Sequence, residues 1–170
     1  VSLADPVYLA MAGPAHVRLV TASGIPGSLM PPFAKSAGGT LTDRQIDILA
    51  QGIFHAWSRP NLPADPSAPP YDAAAPGDPA RGRTAFIGFC ARCHGAEGKG
   101  AQPAPGSIVD PSYLALVSDR GLRSTIVAGR PDEGMPDWRS ERSASGSRAL
   151  SAADVADIVA WLSAQRTAAP

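Results

Sequence analysis

Between Ser151 and Gln165 the apolar residues Val155, Ile158, Val159 and Leu162 recur at spacings of one, three and four, which gathers them on one face of an amphipathic helix. Ser151 stands where the N-cap of that helix is expected, because its hydroxyl can accept from an otherwise unpaired backbone N–H. Asp110-Pro111 predicts a shorter helix through Val117, with the aspartate as cap and the proline at the first helical position. Elsewhere the pattern is punctuated: 17 glycines and 18 prolines make up about a fifth of the 170 residues, so helices should be short and loops many. Residues 60–79 hold seven prolines among Ala, Asp and Ser, which predicts an extended, semi-rigid linker. The stretch Arg142 to Arg148, rich in Ser and Gly, predicts a loop. No run approaches the roughly 20 apolar residues that span a bilayer, so no transmembrane segment is expected in this chain.

Composition narrows the function before any motif does. An apolar fraction of 44% supports globular cores, and 15 basic against 15 acidic residues leave no global field to attract nucleic acid. The only two cysteines lie three residues apart, too close to staple a fold, so their work must be local chemistry. They stand in Cys90-Ala91-Arg92-Cys93-His94, the CxxCH pattern of c-type haem attachment. Two thiols about one helical turn apart can meet the two vinyl groups on one haem edge, and the next residue brings an imidazole beneath the iron. Cys90 and Cys93 are then thioethers and His94 the proximal ligand. A thioredoxin-like redox pair would need a βαβ context, and a zinc site would need further ligands, whereas His16 and His55 lie far away in sequence. About forty residues on, Met135 sits between Gly134 and Pro136 in a helix-disfavouring turn and is the candidate sixth ligand. Its thioether is a soft donor that favours ferrous iron and raises the potential; the alternative is a methionine filling a gap in the core.

With these residues in order, 77–166 resembles a class I cytochrome c domain, which implies an all-α fold of short helices in loops around haem. Gly77 to Phe89 resembles the N-terminal helix of that family, with Gly82 and Phe86 matching the small and aromatic positions that pack on the C-terminal helix, where Trp161 matches the aromatic at the crossing. Pro105, eleven residues after His94, matches the place from which such domains offer a carbonyl to the proximal imidazole, with Pro103 as a rival. Tyr113, Arg123, Trp138 and Arg139 are candidate contacts to haem propionates because phenol, indole and guanidinium can all donate to a carboxylate; each could equally be a surface or core residue.

The chain also repeats itself. At an offset of 105, residues 3–31 align with 108–136 without a gap and with ten identities in 29 positions, where about two are expected by chance. Asp5-Pro6, Tyr8-Leu9-Ala10, Arg18, Gly24, Pro26, Met30 and Pro31 match Asp110-Pro111, Tyr113-Leu114-Ala115, Arg123, Gly129, Pro131, Met135 and Pro136. Leu41-Thr42 then aligns with Leu150-Ser151 after a four-residue difference, so Thr42 to Phe54 is the earlier copy of the C-terminal helix. The expected organisation is the C-terminal part of a first cytochrome c domain over 1–58, a Pro-rich linker over 59–76 and a complete domain over 77–170. By the same offset a first CxxCH would begin sixteen residues before Val1, which makes Met30 axial to a second haem c in a tandem dihaem protein. The competing account is a repeat without haem that docks on a partner.

The resemblance implies electron transfer through a His/Met haem c, as a relay subunit of a respiratory or photosynthetic chain. Redox proteins of a membrane electron-transport complex are the expected partners. The expected site is periplasmic or on the extracytoplasmic membrane face, with attachment either through a segment upstream of Val1 or through partner subunits. Two other classes stay open: a haem peroxidase or the cytochrome domain of a reductase, in which Met135 would give way to a ligand, and a structural subunit with one haem.

Overall fold

The computed structural model describes residues 2–59, 68–101, 106–139 and 148–166, and among them are seven α-helices and no strand. The protein is all-α, as its sequence predicts. Pro103, Pro105 and most of the Arg142 to Arg148 loop lie outside the described residues, as does most of the Pro-rich stretch before residue 68. The chain forms two compact units, Ser2–Asp65 and Pro66–Pro170.

The second unit is organised by two helices far apart in sequence. Helix α3 (Pro79–Phe89) begins at Asp78, whose carboxylate accepts from Arg81 N–H at 2.8 Å, with proline at its first position. Helix α7 (Ala152–Ser163) begins at Ser151, where a capping box forms: Asp154 N–H donates to the Ser151 hydroxyl, and the Asp154 carboxylate accepts from Ser151 N–H at 2.8 Å. The two helices cross at Gly82, where a Cβ would stand 1.9 Å from the carbonyl oxygen of Asp157, so only glycine permits the approach. One turn on, the rings of Phe86 and Trp161 meet with centroids 4.4 Å apart and a tilt of 35°. A buried carboxylate locks the crossing at its other end. Asp157 accepts from Asp78 N–H at 2.7 Å and from Arg81 Nε and Nη2 at 2.8 and 3.0 Å.

Helices α4 (Ala91–His94), α5 (Pro111–Leu116) and α6 (Asp119–Ala128) complete this unit. In helix α6 Leu122, Ile126 and Val127 gather on one buried face, and polar Arg123 and Ser124 are buried beside them. Where composition predicts an open linker, the chain before α3 is packed down. Pro69 is fully buried, the Pro70 carbonyl accepts from Arg123 Nε at 2.8 Å, and Asp72 pairs with Arg120 at 2.7 Å. The Arg120 guanidinium also lies 5.3 Å from the centre of the Tyr71 ring. Linker composition carries no information about the α6 arginines that receive it.

In the first unit, α1 (Pro6–Ser23) is broken at Gly13, with φ +73°, and α2 (Asp43–Trp57) starts from a Thr42–Gln45 capping box. Leu9, Val17 and Ala50 form the core, with Tyr8, Ile53 and Phe54 packed against it. The repeat in sequence is a repeat in structure. Gly13 occupies the place of Ser118, the N-cap of α6, so the two halves of α1 correspond to α5 and α6. Gly24 and Gly129 end these helices with matching backbones, φ +68°, ψ −169° and φ +73°, ψ −170°.

Two outcomes are expected from this packing. Trp161→Ala should lower the unfolding free energy by about 3–5 kcal/mol, measured by denaturant titration, since it empties the α3–α7 crossing. The Asp154 carboxyl is held down from 3.8 to about 2, chiefly by its hydrogen bonds from Arg148, which outweigh its partial burial. Its folded value lies below the unfolded one, so its contribution is complete above that usual value and drains as pH falls toward 2. Asp154→Asn should therefore reduce stability at neutral pH and flatten the acid limb of a stability curve measured below about pH 4.

Candidate metal centre

The last turn of α3 runs into a second, tighter turn. Cys90 N–H still donates to Phe86 O at 2.8 Å, closing α3, while Cys90 O accepts from Cys93 N–H and His94 N–H at 3.1 and 3.0 Å, opening α4. Cys90 thus caps both helices, and one helical turn carries both sulfurs and the imidazole. Gly95 (φ +73°) stops α4, and a Cβ there would stand 2.8 Å from the Gly100 carbonyl oxygen. Gly100 N–H in turn donates to His94 O at 2.9 Å, tying the loop back beneath the histidine.

Met135 is presented by a small closed turn after α6. Arg130 and Met135 exchange two backbone hydrogen bonds, both 2.9 Å, around a single 3-10 turn at Pro131–Glu133. Gly129 is required at its foot, because a Cβ would lie 2.6 Å from Pro136 C and 2.7 Å from Met135 O. Arg130 pairs with Glu133 at 2.6 Å and stiffens the turn. The strand-like segment beyond it is pinned by Trp138 N–H donating to Val127 O and Leu150 N–H donating to Trp138 O.

These two local structures face one cleft. Cys90, Cys93, His94, Met135 and buried Trp138 line it, together with Phe89, Ile126 and Leu150, and Arg92, Arg130, Glu133 and Asp137 also contribute to its wall. The cleft fits a large apolar ring system that needs soft and imidazole donors. Both thiols are free, and burial, with Cys93 adding to it, pushes the Cys90 thiol up to about 12. Burial also lowers His94, which keeps the imidazole neutral, the form that binds metal. Its Nδ1 is buried without a hydrogen-bond partner. Among the described residues no three His, Cys, Asp or Glu side chains are placed so that they could hold one metal ion.

The structure divides the other sequence candidates. Trp138 is in the cleft wall, and Arg139 stands just beyond it, bound to Asp137. Tyr113 is not part of the lining and is 38% exposed; burial of its phenol raises its pKa, with Arg130 opposing. Arg123 lies in a different cavity, beneath the segment that leads into α3. Ile126 and Leu150 went unnoticed in the sequence. Leu150 carries a usable signal, since it directly precedes the Ser151 cap and repeats Leu41 before Thr42.

The first unit keeps part of this methionine turn, with Met30 N–H donating to Ser28 Oγ at 3.1 Å in place of the second backbone bond. Ile25 N–H donates to Met30 O at 3.0 Å, and a Cβ on Gly24 would lie 2.6 Å from Met30 O. Its wall is uncovered: Ile25 and Phe33, at the places of Arg130 and Trp138, are each 38% exposed, and Leu29 is wholly exposed.

The cytochrome c family model matches residues 79–165, just over half of the chain. No curated protein matches. Among solved structures, a chain of a reducing HAO-like protein complex from Kuenenia stuttgartiensis is 17% identical, with a TM-score of 0.47, over 91% of this chain and 73% of that one.

Proposed function

This chain belongs to the cytochrome c family, whose domains hold haem c covalently and transfer electrons, and from that premise we propose that it is a dihaem electron relay of an extracytoplasmic electron-transport complex. The observation that carries the reading is the meeting of Cys90, Cys93, His94 and Met135 in one cleft. Bound haem supplies a one-electron ferric/ferrous couple. Cys90 and Cys93 tether it, and the α3–α4 junction sets their spacing. His94 provides the neutral imidazole on one side and Met135 the thioether on the other. A haem held by both of these donors would have its binding capacity taken up by the protein and would exchange electrons without binding peroxide, nitrite or oxygen, which favours a carrier over an enzyme. Trp138, Ile126, Phe89 and Leu150 keep water from the interior of the cleft. Pro105, Tyr113 and Arg139 are proposed as outer contacts only.

The second haem is supported by the first unit. Met30 follows the same glycine foot as Met135, and Phe33 is 38% exposed where its counterpart Trp138 is buried, with Ile25 and Leu29 adding apolar surface beside it. A half-pocket of this kind has a reason to keep both the turn and the wall if a haem, brought by a CxxCH outside residues 1–170, covers them. Two haems in one chain make a two-step relay, with redox proteins of a membrane complex as donor and acceptor. Among the described residues no helix is long and apolar enough to cross a membrane, so attachment would come through partners or through an anchor elsewhere.

Haem analysis tests this directly. After acid-solvent extraction, residues 1–170 should keep one haem per chain on the polypeptide, and Cys90→Ala with Cys93→Ala should keep none. The natural gene product, with whatever precedes Val1, should keep two. Colour that passes wholly into the solvent contradicts covalent attachment, and one haem in the natural product contradicts the relay.

A further inference from the structure

Arg123 on α6 is a buried cation that forms no ion pair among the described residues; burial disfavours its charge, and Asp72 in the same wall only partly offsets that. It is 4% exposed, its Nε donates to the Pro70 carbonyl, and Nη1 and Nη2 are both buried with no hydrogen-bond partner. Leaving a buried charge unpaired is costly, so the arrangement calls for a partner. Arg123 lines a cavity of about 520 Å³ between residues 71–77 on one side and α6 and α7 on the other. The two carboxylates in that lining are already engaged. Asp72 pairs with Arg120, and Asp119 accepts from Ser163 at 2.6 Å and pairs with Arg166.

The internal repeat shows what this arginine binds when a partner is supplied. Arg18 is the counterpart of Arg123, and its Nε donates to Asp47 on α2. Asp47 lies five residues after the cap Thr42. Five residues after the matching cap Ser151 comes Ala156, and Ala156 lines the cavity beside Arg123. A methyl group stands where the repeat has its carboxylate. The rest of the wall includes Ala73, Ala75, Pro76, Val159 and Ala160, which suits a short alkyl body.

We propose that this cavity is a binding site for a small organic carboxylate, whose charge pairs with Arg123 in the place that Asp47 holds for Arg18. The proposal does not depend on the haem count.

Thermal unfolding of the holoprotein tests it, with butyrate as probe, its neutral counterpart butyramide as control, and ionic strength held constant. Butyrate should raise Tm saturably, by about 3 °C, while butyramide leaves it unchanged. Ala156→Asp should give a similar rise without ligand and abolish the response to butyrate, because the carboxylate is then built in. Arg123→Met should also abolish the response while leaving the midpoint potential where it was. An equal shift with butyramide, or a response that survives in Ala156→Asp, overturns the proposal. So does the absence of a butyrate response in the wild-type holoprotein, and a potential that also moves in Arg123→Met would then place the guanidinium at the haem.

Discussion

The approach of α3 to α7 at Gly82 is the constraint on which the second unit depends. The helix that crosses there is the same helix whose last turn becomes the cysteine turn, so the positions of Cys90, Cys93 and His94 are referred to α7 through one contact between a glycine and a backbone carbonyl. The Phe86–Trp161 pair fills the space beyond the crossing, and Asp157 holds the start of α3 through Asp78 and Arg81. The short α4 would not persist in water as a single isolated turn. It is maintained because α3 is anchored at its start, at its crossing and in its last turn.

Opposite it, the methionine is positioned by backbone geometry and hardly by side-chain packing. The glycine foot and the paired bonds between Arg130 and Met135 fix this turn, and around Met30 the glycine foot and one of the two bonds remain, Ser28 Oγ accepting from Met30 N–H in place of the other. That explains how the first unit can keep the turn around Met30 while Ile25 replaces Arg130 and Phe33 replaces Trp138. At the second of these positions the burial changes too, since Trp138 is buried and Phe33 is 38% exposed. The repeat preserves what sets direction and lets the contacts drift, down to the aspartate that answers Arg18 and is an alanine beside Arg123.

What could be read from the sequence follows the same division. Caps and turns are local, so Asp110, Thr42 and Ser151 and the helices they open are legible, as are the cysteine turn and the glycine–methionine–proline turn. The internal repeat identifies α2, which its Thr42 cap opens, as the earlier copy of α7. The packed segment before α3 is hidden because proline content speaks of stiffness and says nothing of docking. Donor chemistry singles out Tyr113 and Arg123 alongside Trp138, yet only Trp138 lines the cleft. Which face of a short helix a donor occupies depends on packing between elements far apart in the chain.

The account centres on a methionine thioether at a haem iron opposite His94. Proton NMR of the reduced holoprotein, carrying methionines labelled in the methyl group, observes that contact directly, because a methyl held against the face of a haem is shifted far upfield by the ring current. The account predicts one such resonance in residues 1–170, lost in Met135→Leu and unaffected by substitution of Met11. Three methionine methyls at ordinary positions in the folded, reduced protein would contradict it.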